Sequence, residues 1–245
     1  IQSFAGKMRE VRGRLAQAEK LRVPYQKKRW FLDAAALYGD AVEHLHRDLS
    51  HADLKSQGFL AFREYLTAYG AGSGFKSLVA EARSIQAELA TIRYCLWIKG
   101  SRITVKKYEN EADYGIDVDA TFAKFKIREV EEYQASFPPT WDMNHVEAGI
   151  LERVARLYPD VFADFDVFCE KNVNFLDAAI VAFDREIQFY IAFLDFMARF
   201  RKAGLKFCYP QLSLDSKDIH DYEGFDAALA LKLIKENSPI VCNDF

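Results

Sequence analysis

Lys99, Arg102, Lys106 and Lys107 fall within nine residues, beside Tyr94, Trp97 and Tyr108. Basic and aromatic side chains on a protruding hairpin can hold a phosphate backbone. The competing reading is a satellite hairpin packed on a bundle, with its lysines guarding an exposed edge. A second candidate is Glu43-His-Leu-His46, with a weaker counterpart in Asp142-Met-Asn-His145. Two Glu-x-x-His pairs and two further glutamates build a di-iron bundle site. Here no further Glu is placed to complete the set. His44, Asp48 and His51 share a helix face, but a surface histidine cluster is the commoner reading, so no metal is assigned. Gly70-Ala-Gly-Ser-Gly-Phe-Lys-Ser77 has the ingredients of a phosphate loop. Phe75 stands where that loop needs glycine, and the segment follows a helix rather than a strand, so it reads as a linker. No Ser/His/Asp or Cys/His arrangement has recognisable local context. No catalytic residue is assigned, and the chain by itself is expected not to hydrolyse a nucleotide.

Composition sets the bounds for these groups. Of 245 residues half are apolar and 14% aromatic, enough for a substantial core in one large domain or two small ones. The apolar runs are short and broken by charge, so none reads as a membrane span. Cys95, Cys169, Cys208 and Cys242 match no zinc or redox spacing, and reduced thiols in a cytosolic protein are expected. The net charge of −3 hides an asymmetry. Residues 1–29 hold nine Lys/Arg against two Asp/Glu, while the other 216 hold 24 against 34. A basic leading segment can mark a nucleic-acid contact, and a solvated helix face is the plainer account.

The elements that must position these groups are mostly helical. Phe4, Met8, Val11, Leu15 and Ala18 form one stripe over residues 3–22, ended by Val23-Pro24. A second helix to about Leu49 carries Phe31, Ala34, Tyr38, Ala41 and Leu45. A third carries Phe59, Phe62, Leu66 and Tyr69. After a flexible link at 70–74, Ser73 caps a fourth with Phe75, Leu78, Ala82, Ile85, Leu89 and Ile92. The period then changes. Tyr94–Ile98 and Ile103–Tyr108, with Gly100-Ser101 between them, predict a hairpin with a II′ turn inside a β insertion at about 94–115. A helix over 117–133, a break at Phe137-Pro-Pro139 and a short helix through Val146, Ile150, Val154 and Leu157 follow.

The longest element is expected from Val161 to about Ala203. No Pro or Gly interrupts it, and from Leu176 its apolar residues step by four and three. Such a helix would reach ~60 Å. Pro159 suits its first turn; Arg199, Arg201, Lys202 and Gly204 suit its last. Phe189, Phe193, Phe196 and Phe200 add a second stripe, so its later half is expected to be packed from several sides. Beyond Gly204 the texture is mixed: extended at Phe207–Pro210, helical at Phe225–Lys235, strand-like at Ile240–Cys242. The predicted fold class is mainly α: a helical domain over 1–205 with one very long helix (about 161–203) and a small β-hairpin insertion. The beginning of an α/β domain follows at 206–245. Neither end reads as a natural terminus, so a fragment of a longer protein is expected.

Two segments carry a family resemblance. Asp184-Arg-Glu-Ile-Gln-Phe-Tyr-Ile-Ala-Phe-Leu-Asp-Phe, followed by Gly204-Leu-Lys-Phe-Cys-Tyr-Pro210, resembles the end of the core/lever domain of MutS-type DNA mismatch-repair ATPases. Pro239-Ile-Val-Cys-Asn-Asp244 resembles the strand before that family's phosphate-binding loop. The likeness is clearest over 180–245. No segment looks like the mismatch-recognition domain with its Phe-x-Glu signature. Where the family often carries Arg-His-Pro, this chain reads Ile219-His-Asp-Tyr-Glu-Gly-Phe225, and only His220 matches. The resemblance implies that 1–205 is a core/lever domain and 206–245 the start of a truncated ATPase domain, with the loop shortly after Phe245. It implies DNA, duplex or branched, as the partner of the hairpin cations Lys99, Arg102, Lys106 and Lys107. It places Ile240 and Asn243 at the edge of a nucleotide pocket. It implies no cofactor in this stretch, ATP and magnesium in a DNA-dependent, homodimeric parent, and a cytoplasmic, DNA-associated location. The lever would couple DNA at one end to ATP at the other, which needs a stiff element packed at both ends. The alternative is a helical scaffold that binds a protein partner through the long-helix seam.

Overall fold

A computed structural model describes residues 1–111, 143–215 and 218–245. It is mainly helical, with eight helices and one antiparallel hairpin among the described residues. The chain forms two compact units, Ser3–Asp177 and Ala178–Phe245, and the division falls upstream of the boundary expected at 205. The expected helix at 117–133, the break at 137–139, Asp142 and the end of the β insertion at 112–115 lie outside the described residues.

In the first unit the apolar stripes become buried helix faces. α1 (Gln2–Lys20) buries Phe4, Ala5, Met8, Val11 and Ala18. α2 (Pro24–His51) starts with Pro24 in its first turn, where the missing N–H is harmless, and buries Leu32, Tyr38, Ala41, Val42, Leu45 and Leu49. α3 (Gln57–Ala71) and α4 (Ser73–Thr91) both pack on α2. The closest approach is at Gly39 of α2: a Cβ there would lie 2.6 Å from Val79 Cγ2 of α4. The flexible link expected at 70–74 is instead a sharp junction. α3 continues to Ala71, only Gly72 is non-helical, and it donates its N–H to the carbonyls of Ala68 and Tyr69. Gly72, not Ser73, is the N-cap of α4, and Ser73 is its first helical residue. Glycine and alanine through 70–72 let two helices meet at one residue.

α5 (His145–Leu157) begins with a reciprocal cap. The Asn144 side chain accepts from the Val146 and Glu147 N–H groups, and the Glu147 carboxylate accepts from the Asn144 N–H. α6 (Pro159–Lys171) follows at once and buries Phe162, Phe165 and Phe168. Here the structure corrects the sequence. The helix expected over 161–203 is two helices, because 172–177 is not helical. The Asn172 amide donates to the Phe168 carbonyl, a local bond that competes with helix continuation. Phe175 turns inward, 5.3 Å from the Phe31 ring and 5.4 Å from the Tyr38 ring, both edge-on. The Asp177 N–H donates to the Tyr38 hydroxyl at 3.1 Å. Burying one Phe is worth ~1.5–3 kcal/mol, and with the ring contacts and the Asp177 N–H bond it offsets helical hydrogen bonds forgone over 172–177, each worth only ~1 kcal/mol net of water. Tertiary packing therefore overrides a sequence with no helix breaker.

The second unit holds α7 (Ala178–Lys202) and α8 (Ala227–Lys235). α7 ends as its basic last turn and Gly204 imply. Gly204 has φ +83° and donates to the Arg201 carbonyl, while Leu205 donates to that of Phe200. Ile180, Asp184, Ile187 and Phe200 are buried, but the middle of the helix is not packed from several sides as expected. Phe189 is 69% exposed and Phe193 47%, and Tyr190, Leu194 and Phe196 are also exposed. Phe200, Phe207 and Phe225 form a ring cluster with centroids 5.4–6.0 Å apart. Asp226 caps α8 by accepting from the Leu229 N–H. The strand pairing expected at 240–242 occurs just beyond it. Gly224 and Asn243 exchange both backbone hydrogen bonds, as do Asp221 and Phe245. Three residues span one side and two the other, so the ladder carries a bulge, with Glu223 at φ +56° donating its N–H to Asp244.

Candidate nucleic-acid interface

β1 (Tyr94–Lys99) and β2 (Arg102–Lys107) pair in one register from Tyr94↔Lys107 to Lys99↔Arg102. Gly100 has φ +58° and Ser101 does not share a positive φ, the pattern of the expected II′ turn. The register sorts the hairpin into two faces, because directly opposed residues project to the same side. One face carries Tyr94, Leu96, Ile98, Ile103, Val105 and Lys107. The other carries Cys95, Trp97, Lys99, Arg102, Thr104 and Lys106. β2 packs against α5, and the Lys107 ammonium lies 5.0 Å from the Tyr158 ring centroid. Lys107 therefore leaves the cluster that the sequence assigned it to. The remaining three cations share one face with an exposed indole.

That face is open and carries three cations, with the Glu111 carboxylate beside Cys95 and Lys106 at its base. Lys99, Arg102, Lys106, Thr104 and Trp97 are all exposed. The Lys106 ammonium sits 5.0 Å from the Trp97 ring centroid. Among the described residues none of these three cations forms an ion pair. Arg102 and Lys106 stand four residues apart, a span of ~13 Å. Along a duplex axis that is the rise of about four base pairs. Thr104 was not singled out in the sequence. Strand period two, applied with the turn at Gly100-Ser101, would have found it and removed Lys107.

The basic leading segment behaves differently. Arg14 pairs with Glu10 at 2.6 Å and with Asp33 of α2 at 3.7 Å. Arg29 also pairs with Asp33, and Lys28 reaches Asp166 of α6 at 2.8 Å. The Arg14–Asp33 and Lys28–Asp166 pairs tie helices together, and the other two each lie within one helix. The histidine candidates are also occupied separately. His44 Nδ1 is 2.6 Å from the Asp40 carbonyl oxygen, His46 Nε2 is 3.0 Å from Thr67 Oγ1, and His51 Nδ1 is 2.8 Å from the Arg47 carbonyl oxygen. Glu43 binds Arg83 instead of turning toward His46. Among the described residues no three His, Cys, Asp or Glu side chains converge as a ligand set. Ile240 is half-buried, and Asn243 is exposed with its backbone tied to Gly224. Among the described residues no helix is long and apolar enough to cross a membrane. Comparison with protein-family models, with curated proteins and with solved structures finds no match for this chain.

Proposed function

We propose that this chain is a DNA-associated helical module of the MutS-type core/lever kind, with the hairpin as its grip. The observation that carries the reading is the set Lys99, Arg102 and Lys106, exposed on one hairpin face with no ion pair among the described residues. Three phosphate contacts predict a slope of log affinity on log salt of about −2.7 for duplex DNA, or roughly forty-fold weaker binding at 200 mM than at 50 mM salt. In this reading the module works in the cytoplasm. ATP and magnesium belong to the longer, homodimeric parent, with Ile240 and Asn243 beside the nucleotide. The lever of this reading is two helices, Pro159–Lys171 and Ala178–Lys202, rather than one rod. The test is anisotropy of a labelled duplex at both salt concentrations, with the variant Lys99→Ala/Arg102→Ala/Lys106→Ala. The triple variant is expected to lose the binding and keep its circular dichroism. No binding of wild type to duplex or single-stranded DNA at 50 mM, or binding indifferent to salt, rejects the reading.

The exposed stripe of Phe189, Tyr190, Phe193, Leu194 and Phe196 favours a second reading, a helical scaffold that meets a protein partner through α7. Sedimentation at rising concentration separates the two. A scaffold of this type associates without DNA, whereas the DNA module stays at one size until DNA is added.

A further inference from the structure

The cationic hairpin face is more than a row of charges, because Trp97 stands in the middle of it. Trp97 is 55% exposed and lies directly opposite Thr104. One pleat step toward the turn brings Lys99 and Arg102. One step toward the hairpin base brings Lys106. The indole is therefore flanked by cations on both sides, each ~7 Å away along the strands. A duplex grip needs only the cations, since paired bases are stacked inside the helix and offer no free face. An exposed ring between cations is the arrangement that holds an unpaired base while its flanking phosphates are neutralised.

We propose that this face is a stacking platform for unpaired nucleotides, with Trp97 as the ring and Lys99, Arg102 and Lys106 as phosphate contacts. The proposal rests on the nucleic-acid reading above and names its substrate class: single-stranded segments or the unpaired ends of branched structures. An arriving base moves the Lys106 ammonium off the indole and toward the adjoining phosphate, so a cation–π contact is exchanged for an ion pair. The Thr104 hydroxyl, opposite the ring, can donate to or accept from a base edge or phosphate. The other face cannot serve in this way, because β2 packs on α5 and Lys107 is drawn to Tyr158.

The test compares a fifteen-residue oligo-dT, an oligo-rU of the same length and a fifteen-pair duplex at 50 mM salt, using end-labelled probes and anisotropy. Wild type is expected to bind at least one single strand about ten-fold tighter than duplex. Trp97→Leu is expected to weaken single-strand binding about ten-fold and leave duplex binding within about two-fold, the scale of one lost base stack. Trp97→Phe keeps a ring and is expected to retain most of the preference, which also guards against a misfolded leucine variant. Equal or tighter duplex binding, or a Trp97→Leu effect equal on all probes, overturns the proposal. If the triple cation variant abolishes binding while both Trp97 variants behave as wild type, stacking falls and the nucleic-acid reading stands. If wild type binds none of the three probes, both fall.

Discussion

Gly39→Ala tests the α2–α4 contact at its tightest point. Glycine is a poor helix former, and alanine in its place gains ~1 kcal/mol from propensity alone. At Gly39 the new methyl would meet Val79 Cγ2 at 2.6 Å, with Val79 Cβ at 3.6 Å and Cγ1 at 3.7 Å. Overpacking of this kind costs ~1–3 kcal/mol. Val79 is buried in α4 and faces this contact, so it has little room to retreat. The sum predicts a net destabilisation of about 1 kcal/mol. Gly13 supplies the control, since it lies inside α1 with nothing within 4 Å of its would-be Cβ. Gly13→Ala is expected to stabilise by ~0.5–1 kcal/mol. The sign at Gly39 should reverse when Val79→Ala makes room, so that Gly39→Ala stabilises the Val79→Ala background. The cycle then gives a coupling of ~1–2 kcal/mol. Urea unfolding followed by far-ultraviolet circular dichroism, with unchanged m-values, measures all five proteins. A Gly39→Ala variant as stable as Gly13→Ala would refute the close approach, and an additive double mutant would refute its cause.

Three further outcomes follow from titratable groups held by burial or hydrogen bonding. Tyr38→Phe removes the acceptor of the Asp177 N–H and the partner of the Tyr69 hydroxyl at 3.1 Å, a loss of ~1–3 kcal/mol in urea unfolding. Burial pushes the Tyr38 and Tyr69 hydroxyls upward, and the bond to Asp177 pushes Tyr65 up to about 12. Their protonated forms are the ones the fold favours, so stability is intact below pH 10 and falls as pH rises toward 12. A stability curve flat across that range, with tyrosinate absorbance appearing at pH 10, would refute it. Burial also pushes the Cys169 thiol up to about 12, whereas Cys208 is exposed. At pH 8 a thiol reagent should label Cys208 on the order of 100-fold faster than Cys169, with the gap closing in denaturant. Equal rates in the folded protein would reject the burial.

Periodicity made the helical character legible, because burial follows most of the stripes of α1, α2 and α4, with Leu15, Phe31, Leu89 and Ile92 only half-buried. Gly204 and the arginines before it marked a helix end that the structure keeps. The break at 172–177 was not legible, because nothing local forbids a helix there. It follows from where Phe31 and Tyr38 lie, some 140 residues away in sequence. The capping box at Asn144 and Glu147 was legible in the spacing and went unread. At the hairpin the residue types marked two strands and a turn, which the structure keeps. Separating Lys107 from the other three cations needed the register, which depends on where the turn begins. Exposure along the middle of α7 was hidden for the opposite reason: an aromatic stripe reads as buried whether or not anything covers it.

A two-stranded ribbon has two edges, and among the described residues no further strand pairs with either. Cationic side chains keep such edges apart by repulsion between copies. On this hairpin the residues that repel are also the residues offered to a polyanion. Once phosphates neutralise Lys99, Arg102 and Lys106, the repulsion that keeps ribbons solitary is gone. In the proposed nucleic-acid reading, occupancy and colloidal stability are opposed, and turbidity should rise as the hairpin fills at low salt.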